Sequence, residues 1–284
     1  MGELNWLVGI QITFTDNGIT LSQTTFIDKI LNRFSMQDCK PVWTPIDPNH
    51  RLKAIEVDEQ STDTTAYQQI IGSLMYLVTG TRPDLAYTIT HISQFNSSPS
   101  IMHLTAAKRV LRYLQGTKDR HLFYPWNNKL KMTAYTDASY SNCLDTRRSF
   151  LGYIFQLGTA TISWRCRKQW SVATSTCEAE YMAVAMTTKH HLWLKCGSQE
   201  LLKMDILTAL FCDSNAAIDV AYNPKLNDGS KYIGVAYHFT REQIDKGNMS
   251  VMYLPSEENI ADICTNGMTR YVNDHICSKI FASK

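Results

Sequence analysis

Apolar and polar residues alternate along residues 11–23, QITFTDNGITLSQ, on both sides of the tripeptide DNG at 16–18. Asp, Asn and Gly accept the positive φ of a tight turn, so this pattern predicts a β-hairpin. Apolar residues then recur at helical spacing over 26–34, FIDKILNRF. That spacing predicts a short amphipathic helix directly after the hairpin.

Residues 39–64 interrupt these regular patterns with prolines and with a polar, acidic run that begins EVDEQ. This composition predicts an extended linker. Helical spacing resumes over 67–78 and continues, after a break at GTRPD, through a second helix to LTAAKRVLRYLQGT at 104–117. That last helix carries one apolar face and one basic face, and Gly116 is placed to end it.

The pattern becomes strand-like in three consecutive runs, 131–137, 149–158 and 159–166. Consecutive runs of this kind predict an antiparallel meander. A long helical pattern follows over 175–202, and strands TALFCDSN and MSVMYLP then alternate with helices, the last of which begins at Ser256. Three antiparallel strands followed by alternating helices and strands predict a mixed α/β sheet.

Composition limits the class of protein. With 284 residues, 44% of them hydrophobic, the chain can bury a core and has the length of two structural units. No run approaches the roughly 18 consecutive apolar residues of a membrane span, and the first residues, MGELNW, lack a signal-peptide pattern. The eight cysteines form no C-x-x-C pair, which argues against zinc and favours buried thiols in a reducing compartment. We therefore expect an intracellular, cytoplasmic protein, with the nucleus as the alternative, and no membrane partner.

Carboxylates stand where predicted strands end and helices begin. Asp137 and Asp213 end predicted strands. Glu178 and Glu180 begin the long helix, and Asp262 lies in the last helix. Four elements can thus bring carboxylates to one edge of the sheet, where like charges repel unless cations lie between them. Oxygen-only ligands favour Mg²⁺ or Mn²⁺ over zinc, so the sequence predicts a site for such ions.

The sequence also distinguishes the two glutamates. Ser175-Thr176-Cys177-Glu178 fits the capping box S-x-x-E, in which the glutamate side chain turns back to the N-cap amide. Glu180 follows two residues later and projects about 200° around the helix. We therefore expect Glu180, and not Glu178, to join the other acids.

Several motifs resemble one known family. YTDAS, STCEAEYMAVA, LFCDSNAAI and YLPSEENIADICT are similar to the ribonuclease H domain of copia-type long-terminal-repeat retrotransposon polyproteins. Upstream, GELNWLVGIQI, IGSLMYLVTGTRPDLAYTI and AAKRVLRYLQGT resemble the end of the reverse transcriptase of the same polyproteins. The resemblance implies an α/β fold: a ribonuclease H-like mixed sheet with flanking helices, preceded by a β-hairpin and a helical thumb-like segment.

The resemblance and the patterns together divide the chain into parts. We expect the end of a reverse transcriptase over 1–38, a linker over 39–64, a helical thumb or connection segment over 65–125, a ribonuclease H-like domain over 126–268 and a tail over 269–284. The polymerase's catalytic aspartate pair, which the family carries upstream of GELNWLVGIQI, is missing. We therefore expect an N-terminally truncated reverse transcriptase that does not polymerise, and the missing upstream part of the polyprotein is an expected partner.

The resemblance also implies an activity, the hydrolysis of the RNA strand of an RNA–DNA hybrid. In that chemistry one of two metal ions, Mg²⁺ or Mn²⁺, activates a water while the other stabilises the leaving 3′ oxygen. By the family's motifs, Asp137 would bridge both ions, and Glu180 and Asp213 would complete the inner site. Asp262 would bind the second ion more loosely.

Two clusters of basic residues are candidates for binding the hybrid. They are Lys108, Arg109 and Arg112 in the basic helix and Arg165, Arg167 and Lys168 between two tryptophans. The resemblance places the basic helix beside the hybrid, although a solvated helix face has the same composition. In the second cluster, cations can contact phosphates while aromatic rings stack or pack. Two hypotheses remain open: an active nuclease, or an inactive remnant that binds nucleic acid or serves as a structural module.

Overall fold

The computed structural model describes residues 4–49, 51–56, 59–127, 130–203, 208–223 and 234–281. Contacts within the chain divide it into two compact units. The first unit comprises Met1–Asn127 and Asn266–Lys284, and the second comprises Asn128–Thr265. In sequence, the second unit is therefore inserted between the two parts of the first.

The elements fall in a regular order along the chain. The first part of the chain forms β1 Trp6–Leu7, β2 Ile10–Thr15, β3 Gly18–Ser22, α1 Thr24–Arg33, α2 Thr64–Gly80, α3 Ala86–Ile92, α4 Ile101–Gly116 and β4 Leu122–Pro125. Then follow β5 Met132–Ser139, β6 Phe150–Leu157, β7 Ala160–Lys168, α5 Thr176–Leu202, β8 Thr208–Cys212, α6 Asn215–Tyr222, α7 Gly234–Asp245, β9 Met249–Tyr253 and α8 Arg270–Ile280. Within the part of the chain that the structure describes, no helix has both the length and the apolar composition needed to cross a lipid bilayer.

A four-stranded antiparallel sheet in the order β1-β2-β3-β4 belongs to the first unit. Its centre is the predicted hairpin of β2 and β3, in which Thr13 pairs with Thr20. The fourth strand, β4, pairs with β3, and its four residues carry too little pattern to be predicted as a strand. Gly18 is required where β3 and β4 meet, since a Cβ there would lie 2.3 Å from the Tyr124 carbonyl oxygen.

Four helices of the first unit, α1, α2, α3 and α4, contribute buried side chains to one apolar core. The buried stripe of α2 consists of Tyr67, Ile70, Ile71, Leu74 and Leu77. Asp63 caps this helix, because its Oδ1 accepts a hydrogen bond of 2.8 Å from the N–H of Thr65. The Tyr67 hydroxyl donates to the carbonyl of Ile92 at 2.7 Å, so the polar atom that the stripe buries is satisfied.

A buried ion pair connects this core to α8. Arg82 and Asp84 are both fully buried and pair through two hydrogen bonds, Nε to Oδ1 at 2.9 Å and Nη2 to Oδ2 at 2.7 Å. The Tyr113 hydroxyl also donates to Asp84, and Arg120 contacts both that hydroxyl and the Cys277 thiol. Since Cys277 lies on α8, residues that follow the second unit in sequence complete the packing of the first.

The second unit contains a five-stranded mixed sheet in the order β7-β6-β5-β8-β9. β5, β6 and β7 form the predicted antiparallel meander, whereas β5–β8 and β8–β9 are parallel pairs. α5 packs against β5, where Thr187 Oγ1 donates to Thr136 Oγ1 over 2.9 Å. The predicted mixed α/β sheet is therefore confirmed.

The prediction of a single helix from Ser256 is wrong. Two short 3₁₀ helices, Ser256–Glu258 and Ile260–Cys264, stand in its place. Asn259 separates them because its backbone is extended, with φ −77° and ψ 99°, and because its side chain caps the second 3₁₀ helix.

Candidate active site

Asp137 lies near the end of β5 and pairs directly across from Gly152 of β6. Its side chain is buried, with 6% of the residue exposed, and the Thr265 hydroxyl donates a hydrogen bond to its Oδ2. Because β6 and β8 pair with β5 on either side, the sheet fixes the position from which this carboxylate projects.

The two glutamates at the start of α5 meet different surroundings. Ser175 Oγ accepts a hydrogen bond of 3.1 Å from the N–H of Glu178, as a capping box requires. The Glu178 carboxylate, however, accepts from the N–H of Thr174 at 2.7 Å and from the Thr174 hydroxyl. The prediction that the Glu178 side chain bonds the backbone N–H of the N-cap, Ser175, is thus wrong by one residue. The carboxylate bonds Thr174 instead, because Thr174 offers two donors. The Glu178 carboxylate is nevertheless hydrogen-bonded at the helix start, and the Glu180 side chain projects in a different direction.

Asp213 follows β8 directly, where it lies at the end of a strand as predicted. Its Oδ2 accepts a hydrogen bond of 2.6 Å from the hydroxyl of Ser256. Sequence reasoning missed Ser256 as a partner, because no local pattern couples residues 43 positions apart.

Asp262 lies in the 3₁₀ helix Ile260–Cys264, which Asn259 attaches to the sheet. Asn259 Oδ1 accepts from the N–H of Ala261 at 3.2 Å, while Nδ2 donates to the carbonyl of Thr136 at 3.0 Å. Thr136 immediately precedes Asp137, so one buried side chain sets the helix that carries Asp262 against the strand that carries Asp137. An asparagine before a helical turn is a typical N-cap, which is the signal that could have identified it.

The four predicted acids interact electrostatically. Burial, followed by the negative charges of Asp262 and Asp213, raises the pKa of Asp137 to about 8. Burial, followed by the charges of Asp137 and Asp213, raises the pKa of Glu180 to about 10. The structure therefore brings together Asp137, Glu180, Asp213 and Asp262, in a cluster that is disfavoured when all four are ionised and no cation is bound.

This cluster fits a hard divalent cation. Glu180 Oε2 is buried and has no hydrogen-bond partner among the residues that the structure describes. Glu180, Cys212 and Asp213 each place one ligand atom within 4.8 Å of the others. Burial raises the pKa of the Cys212 thiol far above neutrality, so this group stays protonated and oxygen atoms remain as the ligands. An oxygen-only set suits Mg²⁺ or Mn²⁺.

The basic residues predicted on α4 differ in what they contact. The Arg109 guanidinium donates to Thr44 Oγ1 at 2.9 Å, and Arg112 Nε donates to the carbonyl of Lys40 at 2.8 Å. Both arginines therefore hold the segment before α2 against α4. Lys108 is exposed on the same helix.

The second basic cluster lies on β7, in the second unit. Arg165 is exposed, and the Arg167 guanidinium lies 4.8 Å from the ring centroid of Trp170, a residue that is 77% exposed. Lys168 Nζ lies 3.9 Å from the buried Cys143 thiol. The half-buried Arg167 and the exposed Trp170 thus form a pair of a cation and an aromatic ring.

Solved ribonucleases H resemble part of the chain weakly. LC11-RNase H1 in complex with an RNA/DNA hybrid is 18% identical, covers 48% of this chain and 94% of its own, and has a TM-score of 0.36. RNase H1 from Halobacterium salinarum NRC-1 is 15% identical, covers 46% of this chain and 90% of its own, and has a TM-score of 0.33. No family model matches the chain.

Two curated relatives match nearly the whole chain, and a third matches about two thirds of it. The Retrovirus-related Pol polyprotein from transposon RE1 of Arabidopsis thaliana is 36% identical over 279 residues, 98% of this chain and 19% of the polyprotein. The corresponding polyprotein from transposon TNT 1-94 of Nicotiana tabacum is 35% identical over 277 residues, 95% of this chain and 21% of the polyprotein. The mitochondrial protein AtMg00810 of Arabidopsis thaliana is 36% identical over 193 residues, 68% of this chain and 79% of that protein. With 36% identity across 98% of its length, and spanning 19% of the RE1 polyprotein, the chain belongs to the copia-type retrotransposon Pol polyprotein family.

Proposed function

We propose that the second unit hydrolyses the RNA strand of RNA–DNA hybrids in a reaction that depends on divalent metal ions. The observation that carries the proposal is the convergence of four carboxylates, each from a different element, with one buried carboxylate oxygen that has no partner among the described residues. Membership of the Pol polyprotein family supports it, because the quoted motifs that resemble a ribonuclease H contain these acids.

Each acid has a surrounding that suits a distinct role. Asp137, held on a central strand, would hold the ions together with Glu180 and Asp213. Asp262, which is half-buried on a 3₁₀ helix, would add a further carboxylate to this set. Two bound Mg²⁺ ions supply activation of the attacking water and stabilisation of the leaving 3′ oxygen. The carboxylates supply the negative charge that holds such ions.

Binding of the hybrid would use cations outside the acid cluster. On the second unit, Arg165 and Arg167 project from β7, and Trp170 offers an exposed ring beside Arg167. On the first unit, Lys108 is the exposed cation of the predicted set on α4. Phosphate contacts of this kind give affinity that falls as the salt concentration rises.

The experiment is cleavage of a labelled RNA strand, offered in an RNA–DNA hybrid, as a single strand and in an RNA duplex. We expect cleavage of the hybrid alone, in Mg²⁺, with loss of activity in EDTA. The Asp137→Asn variant, purified in the same way, controls for contaminating nucleases and should be inactive.

Equal cleavage by Asp137→Asn would overturn the assignment of the acids. Binding of the hybrid by the wild-type chain without cleavage in Mg²⁺ or Mn²⁺ would instead favour an inactive remnant that binds nucleic acid.

A further inference from the structure

Beyond the four acids, the segment 256–265 contributes hydrogen bonds to the same cluster. The hydroxyl of Ser256 donates to Asp213, and the amide of Asn259 donates to the strand that carries Asp137. The hydroxyl of Thr265 donates to Asp137 itself. Of these three groups, only the Thr265 hydroxyl contacts Asp137, the acid on the central strand of the sheet.

We propose that Thr265 is a positioning residue, whose hydroxyl fixes the Asp137 carboxylate in the orientation that binds metal. This inference rests on the proposed function, because it assigns Asp137 to the metal ions. Thr265 itself touches neither the metal nor the hybrid in this proposal.

The geometry limits the freedom of the Thr265 hydroxyl. Thr265 is fully buried, with 0% of the residue exposed, so water does not compete for its side chain. Its Oγ1 also lies 3.1 Å from the carbonyl oxygen of Asp262. The hydroxyl therefore lies between the Asp137 carboxylate on β5 and the backbone carbonyl of Asp262.

Gly152 provides the space in which Thr265 reaches Asp137. A Cβ at Gly152 would lie 2.7 Å from Thr265 Cγ2 and 2.7 Å from the Cβ of Cys264, closer than real Cβ contacts. Gly152 is also the residue paired with Asp137 across β5 and β6. The absence of a side chain at this one position lets residues 264 and 265 pack directly onto the sheet beside the carboxylate.

A hydroxyl is chemically suited to this task. A lysine or arginine in the same place would orient Asp137 equally well, but its positive charge would repel the metal ions. A neutral donor restrains one oxygen of the carboxylate and leaves the net charge of the cluster unchanged. Hydrogen bonds that orient metal ligands typically affect metal affinity or activity by about 10- to 100-fold.

The test compares Thr265→Val, which keeps the shape and removes the hydroxyl, with Thr265→Ser, which keeps the hydroxyl. Calorimetric titration of the full chain with Mg²⁺ measures affinity without any requirement for cleavage, and cleavage against Mg²⁺ concentration is measured alongside. We expect Thr265→Val to weaken Mg²⁺ binding by about tenfold or more. Thr265→Ser should stay within a few-fold of wild type.

Thr188→Val is the matched control, because Thr188 is also a fully buried threonine of the second unit. Its hydroxyl donates to the carbonyl of Val184 at 2.8 Å, within α5, and not to one of the four acids. This variant should keep the wild-type affinity for Mg²⁺. Should Thr265→Val fail to fold, Thr265→Ala and Thr265→Ser form a second pair that differs by the hydroxyl alone.

Three outcomes would overturn the inference. Wild-type Mg²⁺ affinity in Thr265→Val, or in Thr265→Ala if that pair is used, would refute the positioning role alone. Equal losses of Mg²⁺ affinity in Thr265→Ser and in the variant without a hydroxyl would mean that packing, and not the hydroxyl, causes the effect. Absence of Mg²⁺ binding by the wild-type chain would overturn the proposed function and this inference with it.

Discussion

Glu178 and Glu180 stand two residues apart on α5, yet their carboxylates have opposite environments. Glu178 accepts hydrogen bonds from the backbone and hydroxyl of Thr174 at the helix start. Glu180 turns into the acid cluster, where its Oε2 is buried without a partner among the described residues. The first carboxylate therefore stabilises a helix end, whereas the second is available to a cation.

Replacing each glutamate by glutamine separates these two roles. Glu178→Gln should retain cleavage, since the glutamine oxygen can still accept from Thr174. Glu180→Gln should lose cleavage by orders of magnitude, because a neutral amide replaces an anionic ligand. Its melting temperature without metal should hold or rise, since one repelling charge is removed.

The measurement is hybrid cleavage at several Mg²⁺ concentrations, with thermal melts of both variants. The opposite result, in which Glu178→Gln is inactive and Glu180→Gln is active, would mean that the two residues exchange roles.

Much of the second unit follows from sequence pattern alone. The meander, the long helix and the strand before Asp213 are predicted because each has its own local period. Their order along the chain then brings four acids to one sheet. The choice between Glu178 and Glu180 also follows locally, although the partner of Glu178 differs by one residue from the predicted one.

Other features depend on contacts between distant residues, which no local pattern encodes. The hydrogen bonds of Ser256 and Thr265 to acids join residues 43 and 128 positions apart. Likewise, the sequence shows that α4 is basic, but it does not show that Arg109 and Arg112 each donate a hydrogen bond within the chain, to Thr44 and to Lys40. A helix face rich in cations looks the same whether they bind phosphate or the chain itself.

The stability of the metal-free second unit should decrease as pH rises. The pKa of Asp137 in the folded chain is about 8, against 3.8 for an ordinary aspartate, so the folded state holds the proton more tightly. The stabilisation that comes from this tightly held proton is complete below pH about 4 and is lost as the pH rises through about 8. Glu180, with a folded pKa of about 10, extends this decrease to higher pH.

Melting temperatures measured from pH 5 to pH 9 in EDTA test this expectation, with Asp137→Asn as the comparison. The melting temperature of this variant should decrease less with pH, because the Asp137 carboxyl no longer titrates. The variant should also be inactive in cleavage. Mg²⁺ should flatten the decrease for the wild-type chain, since it compensates the ionised acids. A wild-type melting temperature that rises between pH 5 and pH 8 in EDTA would contradict the raised pKa values.

Lys108 should contribute to hybrid binding without contributing to the fold. It is exposed, and removing one phosphate contact should reduce the log–log salt slope of binding by about 0.7 to 0.9. Arg112→Ala, in contrast, should lower the melting temperature as well, because it removes the hydrogen bond to the carbonyl of Lys40. Lys29→Ala, an exposed lysine on α1, is the control for a general loss of charge.

Binding isotherms at several salt concentrations measure the slope for each variant. If Lys108→Ala and Lys29→Ala change it equally, Lys108 belongs to a solvated helix face and not to the nucleic-acid interface.

The first unit should depend strongly on the ion pair between Arg82 and Asp84. Burial by itself would raise the pKa of Asp84, but the charge and hydrogen bonds of Arg82 outweigh it and lower that pKa, so the carboxyl stays ionised. Asp84→Asn would leave the guanidinium buried without a counter-charge, which typically costs about 3–5 kcal/mol. Asp274→Asn is the matched control, because its carboxylate pairs with Arg120 at 3.4 Å but is 46% exposed.

Exposed pairs of that kind contribute about 0–1 kcal/mol, so the control should unfold close to the wild-type denaturant concentration. Chemical unfolding of both variants measures the difference, with near-ultraviolet circular dichroism as the probe. Because Arg120 also contacts Cys277 on α8, Asp84→Asn should increase reaction of the Cys277 thiol with a thiol reagent. Equal stabilities of the two variants would mean that the buried pair is dispensable and that apolar packing alone holds α8 in the first unit.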